Sequence, residues 1–340
     1  MPQYALWEYE IMSKTGWIIL IVCLCVVLCI CIGIRLARRV ADSLFFGGSD
    51  TKVDDSSTRD YKDLNNPFSA DGVYSVRMEE LKKLNIDWIS GSVTIELTDA
   101  DTVRIQEVSE KAIPEKHALR YGVNGGKLRI QACKKGYIGK LPEKQLKVSL
   151  PRALAERLRE CEIDTVSAAV STGDLKLDEL EIDTVSGRVE LRNMAAGSAE
   201  LDTVSGQIEL SDCAMDTLRI DSVSAFVHAA GTVRKLKASS VSGEVQLHLE
   251  TCRELKINTT SGRIVLDLGT TPEDLSIDTT SGRTLLTLPR DTACAIRLDT
   301  MSGKLYLNEA AVSGKELVLG DGSAAFDIDS VSGSVYVYTK

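Results

Sequence analysis

The sequence predicts an all-β fold: a parallel β-helix (β-solenoid) with coils of about 19 residues, right-handed, preceded by one transmembrane α-helix. Three observations carry this expectation. First, a Ser-Gly pair recurs at Ser90-Gly91, Ser186-Gly187, Ser205-Gly206, Ser242-Gly243, Ser261-Gly262, Ser281-Gly282, Ser302-Gly303 and Ser332-Gly333, with Ala in place of Gly at Ser167-Ala168 and Ser224-Ala225. From Ser167 the steps are 19, 19, 19, 18, 19, 20, 21 and 30 residues. Second, each pair interrupts two short runs of period-two alternation, the mark of a strand. Third, residues 16–34 (GWIILIVCLCVVLCICIGI) are 19 residues without a charge, close to the ~20 needed to cross a bilayer core.

The elements follow in chain order. Residues 1–15 form an N-terminal tail. Residues 16–34 are the predicted helix, with Trp17 placed where an interfacial aromatic belongs. Arg35, Arg38 and Arg39 follow it directly, as in a retained anchor rather than a cleaved signal. Residues 35–72 are a basic juxtamembrane segment and a linker rich in Gly, Ser, Asp and Asn, the composition of a flexible tether. Residues 73–160 are degenerate coils. The interval from Ser90 to Ser167 is 77 residues, close to four periods, and it holds strand-like pieces at Val103, Leu128 and Leu146. Residues 161–340 are the regular repeats.

A two-strand unit is marginal alone, but stacked copies pair each backbone with the coils on either side at about 4.8 Å. A propeller blade needs about 40 residues, and a sandwich does not demand the same residue type at the same place in each unit. Gly at the corner is expected to supply positive φ. Hydrophobic residues are 44% of the chain and aromatic residues only 5%, so the interior must be Val, Ile, Leu and Ala.

The repeat aligns two polar columns. One holds Asp87, Asp164, Asp183, Asp202, Asp221, Ser239, Asn258, Asp278, Asp299 and Asp329; the next holds Trp88 and then Thr or Ser from Thr165 to Ser330. Alternation turns the Asp column outward and the Thr/Ser column inward. Stacked carboxylates repel, and Arg188, Arg263, Arg283 and Lys304, five residues beyond the column, are the expected counter-charges. The sharper alternative is a Ca²⁺ ladder on Asp164, Asp183, Asp202, Asp221, Asp278 and Asp299. Against it, the Ca²⁺-binding nonapeptide Gly-Gly-x-Gly-x-Asp is absent.

No catalytic residue, cofactor site or metal site is expected. His117, His228 and His248 adjoin no nucleophile motif, and the many Ser and Asp residues are column members. Cys133, Cys161, Cys213, Cys252 and Cys294 lack metal-ligand spacing and are expected to be buried or loop residues. A net charge of -9 without a basic stripe excludes nucleic acid as partner.

The runs IDWISGSVTIEL (86–97) and LPEKQLKVSLP (141–151), with the IDTVSG-type copies starting at Ile163, Ile182 and Leu201, resemble a bacterial family of adhesin-like β-strand-repeat domains of unknown function, often found behind one membrane helix. The resemblance covers about residues 73–340. It implies a repeat domain outside the cytoplasm, whereas the Arg cluster after residue 34, taken by the positive-inside rule, points inside; outside is the expectation carried forward. The expected function is a non-catalytic, membrane-anchored, single-pass surface or envelope binding module with a protein or cell-envelope partner. The alternative is a cytoplasmic-facing scaffold that self-assembles through the solenoid ends. Here the terminal run SVYVYTK (334–340) is a candidate interface or cap.

Overall fold

A computed structural model describes residue 64 and residues 66–134 and 141–340. Within these residues the chain is built from 23 strands joined in one continuous sheet, with one short α-helix, Arg152–Ala155, and one 3₁₀ turn, Glu115–His117. No helix among the described residues is long and apolar enough to cross a membrane. The predicted architecture is corrected accordingly: the described fold is all-β, and residues 16–34, on which the transmembrane helix rested, lie outside the described residues.

Each coil places one strand in each of two parallel ladders. The first ladder carries the Asp and Thr columns. It runs through Lys83–Trp88, Glu160–Thr165, Lys176–Thr184 and Ala195–Thr203, with Ile86, Ile163, Ile182 and Leu201 in register. The second ladder carries the segment after the corner, with Val170, Val189 and Ile208 stacked in the same way. Alternate residues from both ladders fill the interior. Ile86, Ile163, Ile182, Leu247 and Leu266 are fully buried, and Trp88 and Phe326 are the largest side chains enclosed. The five described cysteines are buried and free, as expected.

The corner glycines have a different reason from the one expected. Only Gly91 among them has positive φ, at 94°. At Gly187 and Gly206 a Cβ would overlap the carbonyl oxygen of Ala168 and Gly187 in the neighbouring coil. Glycine is required there by the close approach of one backbone to the next, not by a left-handed turn. The inward hydroxyls complete the corner. Thr184 and Thr203 Oγ1 accept from the Gly187 and Gly206 N–H at 2.8 Å, and Ser330 Oγ accepts from the Gly333 N–H at 2.7 Å. The Thr165 hydroxyl donates to Thr184 Oγ1 at 2.9 Å along the stack.

Coil order departs from chain order at both ends. The strand Ala324–Ser330 pairs with Asp274–Ser281 on one side and with Cys294–Thr300 on the other. Likewise Ser334–Thr339 pairs with both Arg283–Leu288 and Leu305–Leu307. The last coil in sequence is therefore an interior layer, and the coil before it forms the end. The run 334–340, a candidate end interface in the sequence, is enclosed instead, with Val335 and Val337 buried. At the other end Lys83–Trp88 and Gly91–Thr98 lie between the 160–173 coil and an outer layer, Lys127–Gln131 with Lys144–Pro151. The 77-residue interval thus holds one further coil rather than four eroded ones. The rest of it folds away as antiparallel strands, Val103–Val108 against Lys144–Pro151 and Arg120–Asn124 against Lys127–Gln131. Antiparallel Ala310–Ala311 and Glu316–Leu319 border the opposite end. Short antiparallel strands blunt an edge that would otherwise invite another chain.

Candidate functional site

The first candidate is the Asp column. The structure stacks its members in register: Asp87, Asp164, Asp183, Asp202, Asp221, and further along Asp278, Asp329 and Asp299 in that spatial order. The column faces outward but is recessed, with Asp221 1% and Asp183 5% exposed, while Asp299 is exposed. Three of the four expected counter-charges are engaged elsewhere. Arg188 pairs with Glu209 and Glu190, Arg263 with Glu244, and Arg283 lies over the Tyr336 ring at 4.9 Å. Arg219 holds Asp221 instead, with Nε 2.8 Å from Oδ2, and Arg129 with Gln131 holds Asp87 at 3.0 and 2.9 Å. Asp202 lies between Asp183 and Asp221. Burial first, then those two carboxylates and Glu200, push its carboxyl up to about 7, with Arg219 opposing. Burial also raises Asp278 and Asp329. Among the described residues no group of three or more His, Cys, Asp or Glu is arranged to hold a metal ion. The Asp column, Asp164, Asp183, Asp202, Asp221, Asp278 and Asp299 included, is a line rather than a cage. Its like charge is relieved by Arg219, Arg129 and the raised Asp202 carboxyl.

The second candidate was not legible as a site. The first-ladder strands begin on a third side of the coils, on which Ala195, Ala214 and Thr232 stand in register. Here an open groove of about 490 Å³ crosses four successive coils. One wall is made of charged side chains, one per coil: Asp216, Arg234, Arg253 and Glu273. Arg234 embraces Asp216 with Nε to Oδ1 and Nη2 to Oδ2, the latter at 2.8 Å, and Arg253 Nε donates to Glu273 Oε2 at 2.6 Å. The hydrogen bond from Arg234 lowers the Asp216 carboxyl below the usual range. The opposite wall is Ala214 and then the hydroxyl residues Thr232, Thr251 and Thr271, where Thr271 donates to Thr292 Oγ1 at 3.1 Å. Met215 and Cys252 lie beneath, and burial pushes the Cys252 thiol up to about 11, far from a thiolate nucleophile at neutral pH. The wall residues sit five positions before the Asp column, so they share the repeat period. Their identity changes from coil to coil, so they form no constant column in the sequence.

The three histidines assemble no catalytic set. His228 and His248 lie 5.3 Å apart on the outer surface, His248 3.7 Å from Asp267, and the His117 carbonyl accepts from Lys144 at 2.7 Å.

The chain is similar to several solved structures. A protein from Parabacteroides distasonis ATCC 8503, titled "Putative lipid binding protein", is 17% identical, with 79% of this chain and 97% of that one covered at a TM-score of 0.46. A "putative adhesin" from the same organism is 12% identical, covering 80% and 98% at a TM-score of 0.41. A "putative adhesin" from Bacteroides fragilis NCTC 9343 is 11% identical, covering 78% and 95% at 0.33. No curated protein matches the chain. The Toastrack DUF4097 family model matches residues 81–338, from the first stacked coil to the enclosed C-terminal strand, and the chain belongs to that family of unknown function.

Proposed function

We propose that this chain is a non-catalytic, adhesin-like binding module, displayed on the outer side of the cell membrane, that meets its partner along the side of the stack. The observation that carries the reading is the groove across four coils, lined by pre-ordered polar groups. Other conspicuous polar positions hold the fold together, since Thr184 and Thr203 close corners and Arg219 offsets Asp221. A binding role without catalysis accords with thiols that burial holds at about 12 for Cys161 and about 11 for Cys294. The alternative of end-to-end self-assembly is disfavoured by the antiparallel strands that border both ends and by the enclosure of 334–340.

Exposure on the cell surface is tested by labelling. Met301 is 80% exposed and the described cysteines are buried. In intact cells, Met301→Cys is expected to react with a membrane-impermeant maleimide at a rate unchanged by permeabilisation. Labelling only after permeabilisation would overturn the external location.

A further inference from the structure

The chemistry of the groove selects among ligands. Its charged wall is neutral in sum, two carboxylates against two guanidinium groups, each pair already joined. A polyanion would have to break those pairs, and it would approach a chain of net charge -9. A lipid tail wants an enclosed apolar lining, but this groove is open, its rim carries two ion pairs and three Thr hydroxyls, and Ala214, Met215 and Cys252 supply an apolar floor that encloses nothing. An extended peptide repeats about every 6.6 Å, two residues at ~3.3 Å each, which falls out of step with coils about 4.8 Å apart.

A ligand rich in hydroxyls meets none of these objections. Paired Arg and carboxylate groups keep outward donors and acceptors side by side, and Thr hydroxyls both donate and accept. A sugar hydroxyl also does both. The charged residues differ from coil to coil, but a Thr hydroxyl stands on three successive coils, at Thr232, Thr251 and Thr271, one step of ~4.8 Å apart, and each of the two Arg–carboxylate pairs spans two coils. An extended linear glycan advances by a similar step per residue and stays in register along the stack.

We propose that the groove binds a linear, neutral polysaccharide lying along the solenoid axis, one sugar opposite each of the four coils, with Arg234, Arg253, Thr232 and Thr251 as principal contacts. This rests on the binding-module reading and names the ligand class of that same groove. Binding depends on hydroxyls held in a fixed row, so affinity grows with chain length until the four coils are occupied and then levels off.

The test is titration of the purified full chain with cellohexaose, the N-acetylglucosamine hexamer and xylohexaose, with the galacturonic acid hexamer as the anionic counterpart. At least one neutral hexamer is expected to bind saturably and more tightly than the anionic one. For that sugar, affinity is expected to rise from dimer to tetramer and to change little from tetramer to hexamer. Arg253→Gln combined with Thr251→Val, both at exposed positions, removes at least two hydrogen bonds and is expected to cost about tenfold or more in affinity at an unchanged melting temperature. Absence of binding by all three neutral hexamers, tighter binding of the anionic hexamer, or full affinity in the double variant would overturn the proposal. If Met301→Cys is labelled on intact cells while the sugars fail, the ligand class falls and the surface location stands. Labelling confined to permeabilised cells would instead remove the surface reading, whatever the titration shows.

Discussion

Replacement of Asp202 by Asn is expected to stabilise the protein at pH 8 and to flatten the fall of its stability with rising pH. Asp202 stands in register between Asp183 and Asp221, and its Oδ1 and that of Asp221 are buried without a hydrogen-bond partner. Burial and the flanking carboxylates raise it from 3.8 to about 7, so the folded state holds this proton more tightly than the unfolded chain does. The sign follows by linkage: the stability owed to the bound proton is fully present below 3.8 and is lost as pH rises through about 7. A displacement of that size corresponds to roughly 4 kcal/mol across the window. Partial solvent contact reduces it, so about 2 kcal/mol is the expected gain for the neutral amide at pH 8. Asn also brings two donors beside carboxylate oxygens that need them. Chemical denaturation of both proteins from pH 4 to pH 9 gives the comparison. Parallel curves, with no gain at pH 8, would show that Asp202 does not carry the proton.

The second large effect is expected at the end layer that precedes the regular stack. Lys144 and Glu107 are 2% and 1% exposed in their side chains and face each other as an ion pair. The ammonium also donates to the carbonyls of His117 and Ala132 and lies 4.9 Å from the Trp88 ring centroid. Glu107 in turn accepts the Leu119 N–H at 3.0 Å. Burial pulls the Lys144 ammonium down from its ordinary value, with Glu107 opposing. Lys144→Met leaves the Glu107 carboxylate buried without its counter-charge and is expected to cost about 3–5 kcal/mol. Adding Glu107→Gln removes the stranded charge and keeps an acceptor for Leu119, so the double variant is expected to recover part of the loss. A double variant less stable than Lys144→Met alone would contradict the role of Lys144 as the counter-charge of Glu107.

What the residue pattern could and could not show follows from the kind of information a repeat carries. A period states which residues stack on which. Ile182 over Ile163 and Thr203 over Thr184 were legible because every coil repeats them. It does not state the order in which coils stack. The 324–339 coil presents Asp329, Ser330, Ser332 and Gly333 like any other, and it fits between its neighbours as well as beyond them. Only the steps of 30 and 77 residues hinted at a departure. The corner glycine was recognised, but its cause was not, because close approach of a neighbouring backbone is a property of the stack and not of the local turn. Spacing assigns Arg188, Arg263 and Arg283 to the Asp column, yet Arg188 and Arg263 pair with Glu209 and Glu244 across the second ladder, and Arg283 lies over Tyr336. Lys144 and Glu107 lie outside the period, 37 residues apart on antiparallel strands, where no repeat could have paired them. The groove was hidden for the opposite reason, since its wall positions recur but their residues do not.

The central claim is a stack that encloses its C-terminal coil, is bordered at both ends and is left to bind along its side. Paired cysteines test it directly. Leu285 and Tyr336 are partners on adjacent strands, and Tyr306 is the next partner beyond Tyr336. Leu285→Cys with Tyr336→Cys is expected to oxidise readily, since adjacent strands lie ~4.8 Å apart, within disulfide reach. Leu285→Cys with Tyr306→Cys, separated by two strand spacings or roughly 10 Å, is expected to remain reduced. Rapid closure of the Leu285/Tyr306 pair with the Leu285/Tyr336 pair left open would mean that the coils follow chain order and that the C-terminal coil is a free end.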